Sequence, residues 1–277
     1  MASRVKWATL MLTLLAVVGT AVLAGCAAEP EEEPAAAATD AEDALARVQE
    51  RGALVVGTAP FYAPFESTNE QTKELEGFDV DLMTEIASRM GVEVEFVPSE
   101  WQGLLGGLEK GDFDVIVSAM TEKEAAEGNV EFSQVYYDLP DVVIVASGNP
   151  KGIEGKTDLA GMVVGVQTGS GAEILAEELD PEVGFSELRK YELTQDAMND
   201  LKAGRIDAVI AGQAFAIEQR KVDPSFEVSN QPLATSGLVG VFKNGSTSLV
   251  AEFDAQLEAI KADGTYDALV KKWLTIE

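Results

Sequence analysis

Short apolar runs alternate along the chain with segments of helical periodicity. Leu82, Ile86 and Met90 recur at every fourth residue, which puts them on one face of a helix. Three runs rich in valine and isoleucine have the length of strands: ALVVG (53–57), VEVEFV (92–97) and DVIVS (114–118). Because strands that alternate with helices form βαβ units, the pattern predicts an α/β fold with mostly parallel sheets.

The same pattern restarts in the second half of the chain, and one segment is repeated closely. LEKGDFDVIVSAM (108–120) and LKAGRIDAVIAGQ (201–213) share a leucine, a glycine, an aspartate and two apolar strand residues. Either two equivalent α/β lobes or two ordinary helix-to-strand junctions would produce this echo. Open α/β sheets bind ligands beyond the carboxyl ends of their strands, here 118–121 and 211–213. A third such end is VQTGSGAE (166–173), where N–H groups at a helix start favour an anionic or carbonyl group.

The first residues predict an export signal. Arg4 and Lys6 precede a long apolar run, which is typical of a signal peptide, here residues 1–25. A membrane span is the alternative, because the run approaches the roughly 18–20 residues that a spanning helix needs. The run ends in LAGC, which matches the bacterial lipobox, so Cys26 is predicted to be acylated and to anchor the protein to the cell membrane. Residues 26–43 are rich in alanine, glutamate and proline and are predicted to be an acidic, flexible tether.

Composition excludes several classes of function. The 277 residues contain no histidine, which removes Ser–His–Asp, Cys–His and zinc-protease mechanisms. The formal net charge of −28 makes the surface repel nucleic acids and anionic lipid head groups. No catalytic residue, metal site, cofactor or nucleic-acid partner is predicted.

Six segments carry a resemblance to a known family: LVVGTAPFYAPFE (54–66), GFDVDLMTEIASRMGVEVEFVPSEWQGLLGGLEKGDFDVIVSAMT (77–121), FSQVYYD (132–138), VVGVQTGSGAE (163–173), LKAGRIDAVIAG (201–212) and IKADGTYDALVKKWL (260–274). Over nearly all of residues 47–277, the chain resembles the extracellular solute-binding proteins of ABC transporters, amino-acid-binding family 3. The resemblance implies the type II periplasmic-binding-protein fold, in which two α/β lobes are joined by two hinge strands. The implied boundaries are 44–138 plus 233–277 for lobe 1, 142–229 for lobe 2, and about 138–141 and 231–237 for the hinges.

The resemblance also implies a function. A monomeric, lipid-anchored, extracytoplasmic receptor would capture a small solute between its lobes by hinge closure. It would then deliver the solute to the permease subunits of an ABC importer.

The family's pocket can be transferred to this chain by position. Tyr62 and Trp101 fall where aromatic rings sandwich the ligand, and Asp79 falls where a lobe 1 carboxylate lines the cleft. Residues 118–121 form the strand-end loop, and 169–171 form the helix-start loop that receives a carboxylate. Without the resemblance, both rings would be assigned to the core; with it, pocket lining is favoured. The predicted ligand-binding set is Phe61, Tyr62, Glu66, Asp79, Trp101, Ser118, Ala119, Met120, Thr121, Gly169, Ser170, Gly171, Gly212 and Gln213.

Two departures from the family pattern bear on the cargo. The family's arginine for the ligand α-carboxylate falls at Ala126, and its aspartate for the α-ammonium falls at Gly212. Loss of one charged partner costs about 2–5 kcal/mol, so the loss of both argues against a standard α-amino acid. Lys123 is a possible substitute for the arginine, although it lies three residues earlier. Aromatic residues with nearby carboxylates predict a small amine, a quaternary ammonium or another polar metabolite.

Two other classes of function stay open at this point. Cyclohexadienyl dehydratases resemble the same family, so an enzyme on this scaffold is the alternative. It would need a basic clamp for an anionic substrate, and that position is Ala126. The third class is a ligand sensor that acts through a partner protein.

Overall fold

The computed structural model of the protein describes residues 43–275. The predicted signal peptide at 1–25, the lipidation site Cys26 and the rest of the tether before Asp43 lie outside the described residues. Asp43, the last residue of the predicted tether, is the N-cap of the first helix, and its carboxylate accepts the Leu45 N–H. Within the described range, no helix is both long enough and apolar enough to cross a membrane.

Strands and helices alternate along the described chain. The strands are β1 Ala53–Thr58, β2 Phe61–Tyr62, β3 Glu66–Thr68, β4 Leu75–Glu76, β5 Glu93–Pro98, β6 Val115–Ile116, β7 Val130–Phe132, β8 Tyr137–Ala146, β9 Val163–Gln167, β10 Glu187–Tyr191, β11 Ala208–Gly212, β12 Phe226–Val228, β13 Ala234–Leu238 and β14 Val241–Lys243. The helices are α1 Ala44–Arg51, α2 Phe78–Met90, α3 Leu104–Lys110, α4 Glu122–Ala125, α5 Gly171–Val183, α6 Thr194–Lys202, α7 Gln213–Val222, α8 Thr247–Ala262 and α9 Thr265–Trp273. Gly91 ends α2 in the left-handed conformation (φ 75°), which glycine adopts without a Cβ penalty.

Two sheets form the framework of the two lobes. The lobe 1 sheet has the order β5-β1-β6-β14-β7, in which β5, β1 and β6 are parallel. The lobe 2 sheet has the order β10-β9-β11-β8-β12, with β13 also paired to β8. Strands β10, β9 and β11 are parallel, and β8 runs antiparallel to β11. The predicted α/β class with two sheet-containing lobes is confirmed.

The echo between the two halves of the chain has a structural basis. In lobe 1, Asp114 Oδ2 accepts the Val55 N–H at 2.9 Å, and the Asp114 N–H donates to the Val55 carbonyl at 2.9 Å. In lobe 2, Asp207 makes the same two bonds to Val163, again at 2.9 Å each. Each aspartate therefore lies just before one strand and is hydrogen-bonded to the backbone of the neighbouring strand. Both lobes have the same helix-to-strand junction.

Each lobe has its own hydrophobic core. In lobe 2, alternate residues of β8 point to opposite faces of the sheet, as strand geometry requires. Val142 and Ile144 pack in one buried cluster, and Val143 and Val145 pack in another. The sheet is therefore covered on both faces, which explains the unbroken apolar run of this strand.

Two paired strands connect the lobes. Strands β8 and β13 run antiparallel, with Tyr137 opposite Leu238 and Asp141 opposite Ala234. The predicted crossings at 138–141 and 231–237 overlap this pair, and hinge motion there stays a prediction. The pair also lies behind the cavity that the two lobes enclose.

Candidate functional site

A cavity of about 60 Å³ lies between the lobes, beyond the carboxyl ends of β1, β6, β9 and β11. One water molecule needs about 10–15 Å³ by the same measure, so the cavity has room for on the order of four to six waters. Within the part of the chain that the structure describes, no lysine or arginine lines it. Three carboxyl groups and three aromatic residues do: Glu66, Glu124, Asp141, Phe61, Tyr62 and Trp101.

Asp141 presents a carboxylate to this cavity from the connecting strand β8. Only 7% of the residue is exposed, and no hydrogen-bond or ion-pair partner of its side chain lies within residues 43–275. Burial disfavours the charged form and raises the pKa of Asp141 to about 6, so the group is ionised at neutral pH. A buried charge without a partner is unfavourable, and a bound cation would relieve it.

Asp141 lies next to Gly212, the position at which the family pattern has an aspartate. Asp141 lies directly opposite Gly212 in the β8–β11 pair, and opposite residues of an antiparallel pair point to the same face. A Cβ at 212 would lie 2.6 Å from Leu139 Cδ2 and 2.9 Å from the Tyr62 hydroxyl, so a side chain there would require these groups to shift. A carboxylate thus lines the cavity from the strand next to residue 212.

Glu66 lines the cavity from β3 and pairs with Asp79 behind it. The Ser118 hydroxyl donates to Glu66 Oε1 at 3.1 Å, while Asp79 Oδ2 accepts the Ala119 N–H at 2.7 Å and the Tyr136 hydroxyl at 2.9 Å. The other oxygens, Glu66 Oε2 and Asp79 Oδ1, are buried and have no hydrogen-bond partner in the described chain. Burial and the Asp79 charge raise the pKa of Glu66 well above its usual value.

This arrangement changes the role expected for Asp79. The residue was predicted to line the cleft, but it is 1% exposed and does not line the cavity. Its carboxylate instead fixes the strand-end loop through Ala119, whose φ of 47° lies in the left-handed region. Asp79 therefore shapes the cavity wall from behind.

The start of α5, where the resemblance implies a ligand carboxylate, is occupied by carboxylates of the protein itself. The Gly171 N–H donates to Glu124 Oε1, which comes from α4 in lobe 1. The Gly169 N–H donates to Glu173 Oε2, and the Glu173 N–H donates to the Ser170 hydroxyl at 3.2 Å. Burial raises the pKa of Glu124 to about 7 despite its hydrogen bonds from backbone N–H groups.

Tyr62 and Trp101 line the cavity and also join the lobes. The Tyr62 ring stacks on Phe215 of lobe 2, with 4.6 Å between centroids and 5° between planes. Its hydroxyl accepts the Gly212 N–H at 2.9 Å. Trp101 Nε1 donates to the Gly169 carbonyl at 3.2 Å. Both rings therefore line the cavity and also contact the opposite lobe.

The predicted binding residues divide into two groups. Ten line the cavity: Phe61, Tyr62, Glu66, Trp101, Ser118, Ala119, Thr121, Ser170, Gly171 and Gly212. Four are adjacent to the lining without belonging to it: Asp79, Met120, Gly169 and Gln213. Met120 is 2% exposed within the lobe 1 core, and Gln213 begins α7. Contact of each residue with a ligand stays a prediction.

Lys123 does not take the place of the missing arginine. Its ammonium pairs with Glu178 of α5 at 3.0 Å, and its side chain is 64% exposed. Ala126 is also exposed, at the end of α4. Neither residue lines the cavity, so the basic half of an amino-acid clamp has no counterpart among the lining residues that the structure describes.

Sequence reasoning did not identify Asp141 and Glu124 as site residues. In the sequence, Asp141 comes directly before the apolar run VVIVA, and in the structure it lies in the middle of β8. Thr121 and Glu124 have the spacing of a capping box, which predicts a helix start but no contact with lobe 2. No group of three histidine, cysteine, aspartate or glutamate residues in the described range is arranged to hold a metal ion.

Two α/β lobes around a small cavity define the class of solute-binding proteins. The family model for bacterial extracellular solute-binding proteins, family 3, matches residues 54–276, and the chain belongs to this family. The L-cystine-binding protein TcyJ of Escherichia coli (strain K12) is 28% identical over 261 residues, which are 94% of this chain and 94% of that protein.

Solved structures agree with this assignment. An ancestral arginine-binding protein bound to arginine matches with a TM-score of 0.74 and 33% identity, over 81% of this chain and 99% of that one. The ancestral amino acid-binding protein AncCDT-1, a precursor of cyclohexadienyl dehydratase, matches with a TM-score of 0.75 and 31% identity, over 83% and 99%. The chain is thus an ABC substrate-binding protein of the amino-acid-binding group, and its neighbour on the dehydratase lineage is itself a binding protein.

Proposed function

We propose that the protein captures a small organic cation without a carboxylate, a primary amine, and delivers it to an ABC permease. The observation that carries the proposal is the Asp141 carboxylate, which faces the cavity with no partner within residues 43–275. An ammonium group there would make a charge-assisted hydrogen bond of about 2.7–2.9 Å.

The charge of the cavity wall supports a cation. Burial raises the pKa of Tyr62, and the charges of Asp141, Glu124 and Glu66 raise it further, because all three carboxyl groups lie near its hydroxyl. Leaving buried charges unpaired costs several kcal/mol per ion. A cationic ligand offsets that cost, whereas an anionic group would add to it.

Two N–H groups near the start of α5 and the nearby lysine, which could hold a ligand carboxylate, already have carboxylate partners in the protein. The Glu124 carboxylate accepts the hydrogen bond of the Gly171 N–H, and the Glu173 carboxylate accepts that of the Gly169 N–H. Lys123 pairs with Glu178 away from the cavity. Relatives named for cystine and arginine bind α-amino acids, so the amino acid that corresponds to each amine is the natural competitor.

A primary amine fits the wall better than a quaternary ammonium. An amine donates three N–H bonds, and the wall offers oxygens from Asp141, Ser118 and Ser236. A quaternary cation donates none and depends on aromatic faces. Phe215 covers one face of the Tyr62 ring at 4.6 Å, which reduces the aromatic surface open to such a cation.

The transport role rests on the family and on the N-terminal motif. The lipobox ending at Cys26 supports a lipid anchor on the outer side of the cell membrane, from which the acidic tether would present the domain. The loaded, closed lobes would be the form that docks on the permease. The proposal includes a monomeric receptor with no cofactor and no catalytic residue.

A thermal-shift screen with matched pairs tests the proposal. Each pair differs only by a carboxylate: ethanolamine and serine, putrescine and ornithine, agmatine and arginine, tetramethylammonium and glycine betaine. A ligand at 100 times its Kd stabilises the fold by about 2.7 kcal/mol, which raises Tm by about 5–10 °C for a domain of this size. At least one primary amine should produce such a shift while its carboxylated partner does not. A larger shift with the amino acid of each pair would refute the proposal.

A further inference from the structure

Glu124 bridges the two lobes at the edge of the cavity. It lies on α4 of lobe 1, and its Oε2 accepts the Thr121 N–H of its own capping box. Its Oε1 accepts the N–H of Gly171, the first residue of α5 in lobe 2. One carboxylate thus accepts an N–H group at the start of a helix in each lobe.

The N-terminus of α5 is the natural place for an anion in lobe 2. The helix has 13 residues, and its first N–H groups carry a partial positive charge. Ser170 caps the N–H of Glu173, and the Glu173 carboxylate takes the N–H of Gly169. Glu124 accepts the N–H of Gly171, the first residue of the helix, so an internal carboxylate lies where the resemblance implies a ligand carboxylate.

Glu124 also faces the cation site. It lines the same cavity as Asp141, and the Asp141 charge contributes to the rise in the pKa of Glu124. A cation between the two carboxylates would be attracted by both, and a carboxylate would be repelled by both.

We propose that Glu124 is the specificity-determining residue that excludes carboxylated ligands, because it occupies the anion position of lobe 2 and at the same time holds the lobes together. The inference rests on the proposed function, since it explains how a protein related to amino-acid receptors would accept an amine and reject the amino acid. In this account the Glu124 side chain is what prevents amino acids from binding.

The first test measures discrimination in Glu124→Ala and Glu124→Gln. The ratio of the Kd values for serine and ethanolamine, measured by calorimetry at pH 8, above the pKa of about 7 that burial gives Glu124, should fall at least about tenfold in both variants, because each removes the repelling charge. Glu122→Ala is the matched control, since Glu122 is an exposed neighbour on the same helix. An unchanged ratio in folded variants would overturn the inference. A wild-type protein that prefers serine would overturn the proposed function instead.

The second test needs no knowledge of the cargo. The Glu124→Ala substitution removes the carboxylate that acetate would replace, so acetate should bind at the freed Gly171 N–H. We expect millimolar acetate to raise the Tm of Glu124→Ala. The wild type and Glu122→Ala should not respond. If acetate has no effect on Glu124→Ala, or acts equally on all three proteins, Glu124 does not fill an anion position.

Discussion

Replacing Asp141 by asparagine should separate binding from stability. The change keeps the shape of the side chain and removes the charge that faces the cavity. Removing one member of a hydrogen-bonded charge pair costs about 2–5 kcal/mol, which is a loss of roughly 30-fold to several thousand-fold in amine affinity. The loss should fall mainly on the dissociation rate, because the contact forms inside the closed cleft.

The ligand-free protein should respond in the opposite direction. Burial raises the pKa of Asp141 from 3.8 to about 6, a difference of roughly two units at about 1.36 kcal/mol each. At pH 8 the ionised group therefore destabilises the fold by up to about 3 kcal/mol, and Asp141→Asn removes this penalty. Its Tm should rise by up to about 6–12 °C while its affinity falls.

Calorimetry with ethanolamine and thermal denaturation at pH 8 measure the two effects. Asp138→Asn is the matched control, because Asp138 lies on the same strand, is exposed and loses the same charge. The control should leave both quantities nearly unchanged. If Asp141→Asn binds the amine as tightly as the wild type, or is less stable without ligand, the reasoning about Asp141 is refuted.

Four further outcomes follow from the same site. Because a cation prefers the ionised form of Asp141, whose pKa burial raises to about 6, amine affinity at pH 5 should be about tenfold weaker than at pH 7.5 by calorimetry, and the dependence should be weaker in Asp141→Asn, where Glu124, with a pKa of about 7, is the carboxyl group left on the cavity to titrate in this range. The stability of the ligand-free fold should change with pH in the opposite direction. The raised pKa of Asp141 contributes stability that is fully present below pH 3.8 and is lost as the pH rises through about 6. The urea midpoint of unfolding should therefore be higher at pH 5 than at pH 8. Gly212→Ala would bring a Cβ within 2.9 Å of the Tyr62 hydroxyl, so calorimetry should register at least a tenfold loss of amine affinity; unchanged affinity would contradict the tight packing. Asp79→Asn should lower the free energy of unfolding in urea by about 1–3 kcal/mol because it disturbs the two hydrogen bonds that Asp79 Oδ2 accepts, whereas Glu66→Gln, which keeps an oxygen for the Ser118 hydroxyl, should cost less than Asp79→Asn.

Local patterns were sufficient to predict much of the fold. The alternation of apolar runs and helical periodicity gave the α/β class, and the matched segments around Asp114 and Asp207 correspond to the same junction in both lobes. Such features depend on neighbours in sequence and on side-chain period, which are visible in one chain. The strand-end loop at Ser118 and the ring of Tyr62 also fell where they were expected, on the cavity wall.

The carboxylates that define the site could not be predicted in the same way. Asp141 takes its role from the pairing of β8 with β11, in which it meets Gly212 from the other half of lobe 2. Glu124 takes its role from a contact with Gly171 across the cleft. Both depend on contacts between distant segments, so local patterns along the chain did not indicate that Asp141 lies opposite Gly212 on the cavity wall.

The most direct measurement is a crystal structure of the protein with the primary amine that produces the largest thermal shift. The proposal predicts the amine nitrogen within about 3 Å of an Asp141 carboxylate oxygen, with Glu124 still bonded to the Gly171 N–H. A ligand carboxylate on the Gly171 N–H, with Glu124 displaced, would contradict the central claim and identify the cargo as an amino acid.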